Sequence, residues 1–218
     1  MIIEGFAGRF ATKVAGMMQV GLTGLGSLRV SQLEGDSDEA TRAGLRYYLS
    51  SQGATGIAPT QSNPSTAAQW LIYNPGGNTV TAFVDVLGVT LASGTAGAGG
   101  TLHICLVGPK FAPTTIPTIS TANVFIKNAS PLSSRGSNLI CVASQTLVNA
   151  AVSDWYPFCA MDQIGTILGQ TQLVNRDVRG KLIIPPGCGL GLAVISPTGT
   201  TPLFSPIATW REYSADLE

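Results

Sequence analysis

The side chains that could do chemistry are few and scattered. His103 is the only histidine, and Cys105 follows two residues later. In an extended segment that spacing puts both on one face. A Cys–His pair can act as nucleophile and base. These two, however, stand midway along the apolar run TLHICLV, with no cleft-forming loop beside them. A serine triad would also need His103, and no G-x-S-x-G elbow occurs. One imidazole cannot build a multi-histidine metal centre. The expected role of His103 is a partly buried structural histidine.

The carboxylates point the same way. Asp85, Asp154, Asp162, Asp177 and Glu212 are dispersed, without the pairing that glycoside hydrolysis needs. Asp36, Asp38 and Glu39 cluster, but they lack the full pattern and late glutamate of a calcium loop. The glycine-rich SGTAGAGG has no lysine and leads into no helical pattern, so a flexible hairpin loop is expected rather than a phosphate cradle. Cys105, Cys141, Cys159 and Cys188 contain no CxxC pair. Reduced, buried thiols are expected, with two disulfides left open by the spacing. Trp155 and Tyr156, beside Asp154, are the candidates for contact with a ligand such as a sugar. No catalytic, cofactor-binding or metal-ligating residue and no cofactor is expected.

Composition then says what must surround these residues. Charged side chains make up 11% of the 218 residues, against roughly 25% in an average soluble domain. Hydrophobic residues reach 44%, enough for a sizeable core. So little charge implies that other subunits cover much of the surface, which predicts a homo-oligomer or a shell. The 12 basic and 12 acidic groups balance, which argues against nucleic-acid binding through a large positive patch. No uncharged apolar run is long enough to predict a membrane-spanning helix. Glu4, Arg9 and Lys13 spoil the pattern of a signal peptide. Asn128-Ala129-Ser130 fits a glycosylation acceptor, relevant only to a secreted chain.

Residues 1–66 are expected to form an N-terminal arm and linker with one or two short helices. Phe6, Phe10 and Met17 recur at helical spacing on one face, weakened by Gly5, Gly8 and Gly16. This face is a candidate for packing on a neighbouring subunit; contact of residues 1–27 with a membrane is the minor alternative. A second helix is expected around Asp36 to Tyr47, where Arg42 and Arg46 could pair with acidic groups across a subunit boundary. The sequence QGATGIAPTQSNPSTAA then reads as a linker.

From residue 67 to 218 the pattern is strand and turn throughout, with no helix-length periodicity between strands. An all-β fold is expected: an antiparallel β-sandwich of jelly-roll type. The run TVTAFVDVLGVTLA is apolar on both faces, so it is either buried twice or changes face through a bulge at Gly88. Near the C-terminus, Leu190, Leu192 and Val194 form a large-residue face, while Gly189, Gly191 and Ala193 leave the opposite face bare for another layer or subunit. The last strand places Trp210, Arg211 and Glu212 together, and with Tyr47 these complete the interface candidates.

The runs TRAGLRYYLSS, TGIAP, QWLIYNPGG, SGTAGAGG and IPPGCGLGLAV followed by ATWREY resemble virion structural proteins of tailed or other bacterial viruses. That resemblance implies a β-sandwich body with an N-terminal arm. It also implies a capsid, decoration or tail-associated subunit that assembles with itself and with other virion proteins. It carries no catalytic residue. A trimeric carbohydrate- or receptor-binding sandwich is the other function class that the pattern admits.

Overall fold

The computed structural model describes residues 20–22, 28–30, 40–51, 56–94, 100–112, 124–161, 173–196 and 202–214. Within them the chain forms β1 (Val20–Leu22), β2 (Leu28–Val30), β3 (Arg46–Ser51), β4 (Ala67–Tyr73), β5 (Val80–Ser93) and β6 (Gly100–Val107). Further along come β7 (Val124–Asn128), β8 (Ile140–Thr146), β9 (Trp155–Met161), β10 (Leu173–Ile184), β11 (Gly189–Ile195) and β12 (Leu203–Ser214). Among the described residues, strands β1 and β2 pair only with each other.

The other ten strands make two five-stranded antiparallel sheets. Sheet I runs β10-β5-β12-β3-β7 and sheet II runs β8-β4-β11-β6-β9. The sheets face each other over one apolar core. Tyr47, Val84, Leu87, Phe204 and Trp210 enter it from sheet I, and Trp70, Ile72, Ile104, Leu190 and Leu192 from sheet II. The two longest ladders, β5 with β10 and β5 with β12, both run along β5 in sheet I. The all-β sandwich expected from the alternation is therefore what the chain builds.

Several local expectations need correction. In the segment expected to be helical around Asp36 to Tyr47, the described residues are helical at 40–42 and extended from Arg46. Gly44 ends that turn at φ +68°, with its N–H donating to Thr41 O at 3.0 Å and the Leu45 N–H to Ala40 O at 2.8 Å. A Cβ at position 44 would also run into Ser133. The aromatic, β-prone run RYYLSS then becomes β3, bound between β12 and β7. The boundary expected at residue 66 thus falls after a strand already built into sheet I. The amphipathic stretch with Phe6, Phe10 and Met17 lies outside the described residues, as does the acidic cluster at Asp36, Asp38 and Glu39.

The face change in β5 comes at Asp85, three residues before the Gly88 expected to allow it. Asp85 has no partner in either register: β12 pairs Thr209 with Val86 and Trp210 with Val84, and β10 jumps from Asp177 opposite Val86 to Leu182 opposite Val84. One extra residue reverses the alternation. Ala82 and Val84 point into the core before the bulge, and Leu87 and Val89 after it.

One short segment ties the two sheets together. Ile57 exchanges backbone bonds with Phe204 of sheet I at 2.8 and 2.9 Å, and three residues later Thr60 donates to Val194 O of sheet II at 3.0 Å. Gln69 completes this end: its Oε1 accepts the Val194 N–H at 2.6 Å, and its Nε2 donates to Ala58 O at 2.8 Å. The buried amide replaces a ladder bond that β4 does not reach.

Candidate functional site

The cysteines and the histidine lie within sheet II or at its ends. His103 stands opposite Ala193 on one side and Pro157 on the other, and Cys105 opposite Gly191 and Trp155. Nδ1 of His103 is buried without a hydrogen-bond partner. All four cysteines are free. Burial pushes the Cys141 thiol up to about 12, and burial together with the charge of Asp154 pushes Cys105 up to about 11. A thiolate is the nucleophilic form, so these groups are arranged against reactivity.

Trp155 does not lie in an open loop. It begins β9, is buried, and donates from Nε1 to Ser65 O at 2.6 Å. With Leu147 and Ala150 it covers the outer face of sheet II, over Leu71, Tyr73, Cys105 and Val107. This is the layer for which the bare side of β11 leaves room. A Cβ on Gly191 would lie 3.2 Å from Leu147 Cδ1 and 3.3 Å from the Trp155 ring. The close approach predicted at that face is made by the chain itself. Tyr156 remains exposed on β9, opposite Ile104 in register.

The interface candidates separate into three groups. Tyr47, Trp210 and Glu212 are spent inside the chain and are not surface anchors. The Tyr47 and Trp210 rings stack in the core with centroids 6.2 Å apart. Glu212 is 2% exposed. Burial raises the Tyr47 phenol above its ordinary range, and the charge of Glu212 adds to that rise. The alternation that made these residues look like a cluster also turns every second one inward.

Arg46 and Arg211 point the other way, onto the outer face of sheet I, and Arg42 is exposed on the turn before β3. Arg211 makes a forked pair with Asp85, with Nη2 3.0 Å from Oδ1 and Nε 3.1 Å from Oδ2. The β5 bulge is what presents Asp85 to it. Arg211 also lies over the Tyr213 ring at 5.9 Å, and Tyr213 meets Phe83 edge-on at 5.8 Å. In register, Ile183 faces Phe83, Phe83 faces Arg211, and Arg211 faces Arg46. Ile183 is 50% exposed and Tyr48 is 37% exposed. The result is a shelf of half-covered apolar groups around one forked ion pair.

Phe6, Phe10 and Met17 are not among the described residues, so they join no site here. Phe83, Tyr213, Ile183 and Tyr48 were not expected as surface residues. The signal was present: RYY and KLII put large apolar groups at consecutive positions, so one of each pair must face out.

No protein-family model, curated protein or solved structure matches this chain.

Proposed function

We propose that the chain is a structural virion subunit, a jelly-roll sandwich that assembles with copies of itself into a shell or symmetric oligomer. The observation that carries this reading is the strand order. With β7 and β8 set aside, the remaining body strands run β10-β5-β12-β3 in sheet I and β9-β6-β11-β4 in sheet II. Successive strands cross between sheets except from β6 to β9. That wrapping supports an eight-stranded jelly roll, an architecture shared by viral capsid, lectin and cupin domains. Strands β7 and β8 widen one edge of each sheet.

Among these classes, a cupin-type metal centre calls for several histidines, and the chain has one. A shell subunit calls for surface that a neighbour can cover. The 11% charge content and the shelf of Phe83, Ile183 and Tyr213 favour that reading, with a second copy as the occupant of the shelf. The arm with Phe6, Phe10 and Met17 is assigned to contacts with neighbours, and the location to the virion. Negative-stain electron microscopy of the purified chain tests this directly. Closed particles or regular rings are expected; dispersed monomers at high protein concentration would overturn it.

The second reading is a carbohydrate- or receptor-binding module. The exposed Tyr156 on the edge strand β9 favours it, since an aromatic ring there can stack on a sugar. Glycan-array binding by a discrete trimer, lost in Tyr156→Ala, would select it over the first.

A further inference from the structure

Glu212 is the most deeply buried carboxylate among the described residues. Asp85, the other buried one, is held by Arg211. The hydrogen bonds to Glu212 come instead from neutral donors at the end of the β7–β8 connection and from a core tryptophan. Ser137 Oγ donates to Oε1 at 2.5 Å, and Trp210 Nε1 donates to the same oxygen at 3.0 Å. The backbone N–H and the side-chain Nδ2 of Asn138 donate to Oε2 at 3.1 and 2.8 Å.

These contacts surround one peptide bond, Asn138–Leu139. The carbonyl oxygen of Asn138 accepts Asn78 Nδ2 at 2.8 Å. Asn78 is fixed by Asn74 Oδ1 at 2.8 Å, and the buried Asn74 amide is fixed by Val80 O and Ile184 O at 2.8 and 3.0 Å. On the other side of the bond, the Leu139 N–H donates to Ser137 Oγ at 3.0 Å. An amide nitrogen thus lies against a buried base. The carbonyl beside it carries a positioned donor. The nitrogen beyond it touches a hydroxyl bonded to that same base.

We propose that Asn138–Leu139 is a self-cleaving peptide bond. Asn138 Nδ2 attacks its own main-chain carbonyl carbon. The new N–C bond closes a five-membered succinimide, and the C–N bond to Leu139 breaks. Glu212 takes the proton that Nδ2 loses. Ser137 passes its hydroxyl proton to the departing Leu139 nitrogen and recovers one from the Glu212 carboxyl. One proton therefore moves from Nδ2 to the new amino terminus, and both relay groups are restored. Asn78 holds the charge that builds on the carbonyl oxygen. Water later opens the ring to a C-terminal asparagine or isoasparagine.

The strand order gives the cut a consequence. The two pieces alternate across the molecule: β3 to β7 belong to the first and β8 to β12 to the second, and each sheet contains strands of both. Leu139, at the new terminus, sits in the shared core. The nicked sandwich stays together, but a chain that unfolds after cleavage cannot return as one piece. The step would make the folded subunit kinetically trapped.

The test monitors purified full-length chain at physiological temperature by denaturing mass spectrometry, amino-terminal sequencing and native chromatography. The expected result is two fragments, residues 1–138 and 139–218, with a new terminus at Leu139 and unchanged native elution. Asn138→Ala, in an exposed loop position, abolishes cleavage. Ser137→Ala and Glu212→Gln slow it by about a hundredfold. Should Glu212→Gln fail to fold by circular dichroism, Ser137→Ala and Asn138→Ala still decide the matter. An intact wild-type chain with a native β spectrum would overturn the proposal. So would deamidation without a break, or a cut that persists in Asn138→Ala. None of these results depends on whether the chain forms particles.

Discussion

Among the described residues, sheet II is covered on both faces by its own chain, whereas sheet I is covered on one. The outer side of sheet II carries a second apolar cluster, closed by Leu147, Ala150 and Trp155 and flanked by Phe111. The outer side of sheet I carries Phe83, Tyr213 and Ile183 around the Arg211–Asp85 pair, with nothing of similar bulk laid over them among the described residues. Both sheets use the same alternation. They differ in the path of the connecting chain, because the turn after β8 folds back over sheet II.

The sharpest way to break this comparison is to remove the cover. Trp155→Ala deletes a buried indole and leaves Ser65 O without its donor, so it should cost about 3–5 kcal/mol in chemical denaturation. Phe83→Ala, on the open shelf, should cost about 1 kcal/mol in the same assay. Equal losses would mean that the two faces are not different in kind. Gly191→Leu attacks the same cover from below. Its side chain must displace Leu147 or Trp155, so a loss of about 1–3 kcal/mol is expected by thermal denaturation. No loss would show that the layer over β11 is loosely held.

Smaller effects come from the thiols. Burial raises Cys141 from an ordinary 9.0 to about 12, so the folded state keeps its proton where the unfolded chain has lost it. That stability is fully present below pH 9.0 and is lost as pH climbs toward about 12. Melting temperature should fall across this window, and Cys141→Val should flatten the fall. In the native state Cys188, the only cysteine that is not buried, should be alkylated before Cys105, Cys141 and Cys159. The smallest stability change is predicted for Ile183→Lys, within about 0.5 kcal/mol for the single subunit because the side chain is half exposed.

Much of the fold was legible in the sequence because period-two alternation survives without context. Strands β4, β5, β6, β8, β11 and β12 coincide with runs such as QWLIYN, TLHICLV and GLGLAV. Strand β3 was hidden: Arg42, Arg46 and the preceding acids look like a solvated helix, and only Gly44 and the pairing with β12 and β7 make RYYLSS extended. The first half of β10 was hidden by its charges, which an edge strand tolerates and uses as protection. The β5 bulge was expected, but glycine drew the prediction to Gly88, whereas Arg211 fixes it at Asp85. The site was less legible than the fold. Which of Trp210 and Arg211 faces in depends on register, and register is set by the partner strand. Trp155 looked exposed because nothing local shows that Ser65 and the bare face of β11 lie over it.

The most direct test of the account is the solution mass of wild type and Ile183→Lys by light scattering after size-exclusion chromatography, with circular dichroism on the same fractions. The account predicts that wild type elutes as a large, defined assembly. It predicts that Ile183→Lys keeps the β spectrum and melting temperature but elutes as a small species. A wild-type monomer would contradict the assembly reading, and an Ile183→Lys variant that assembles like wild type would contradict the assignment of the open face of sheet I as the contact.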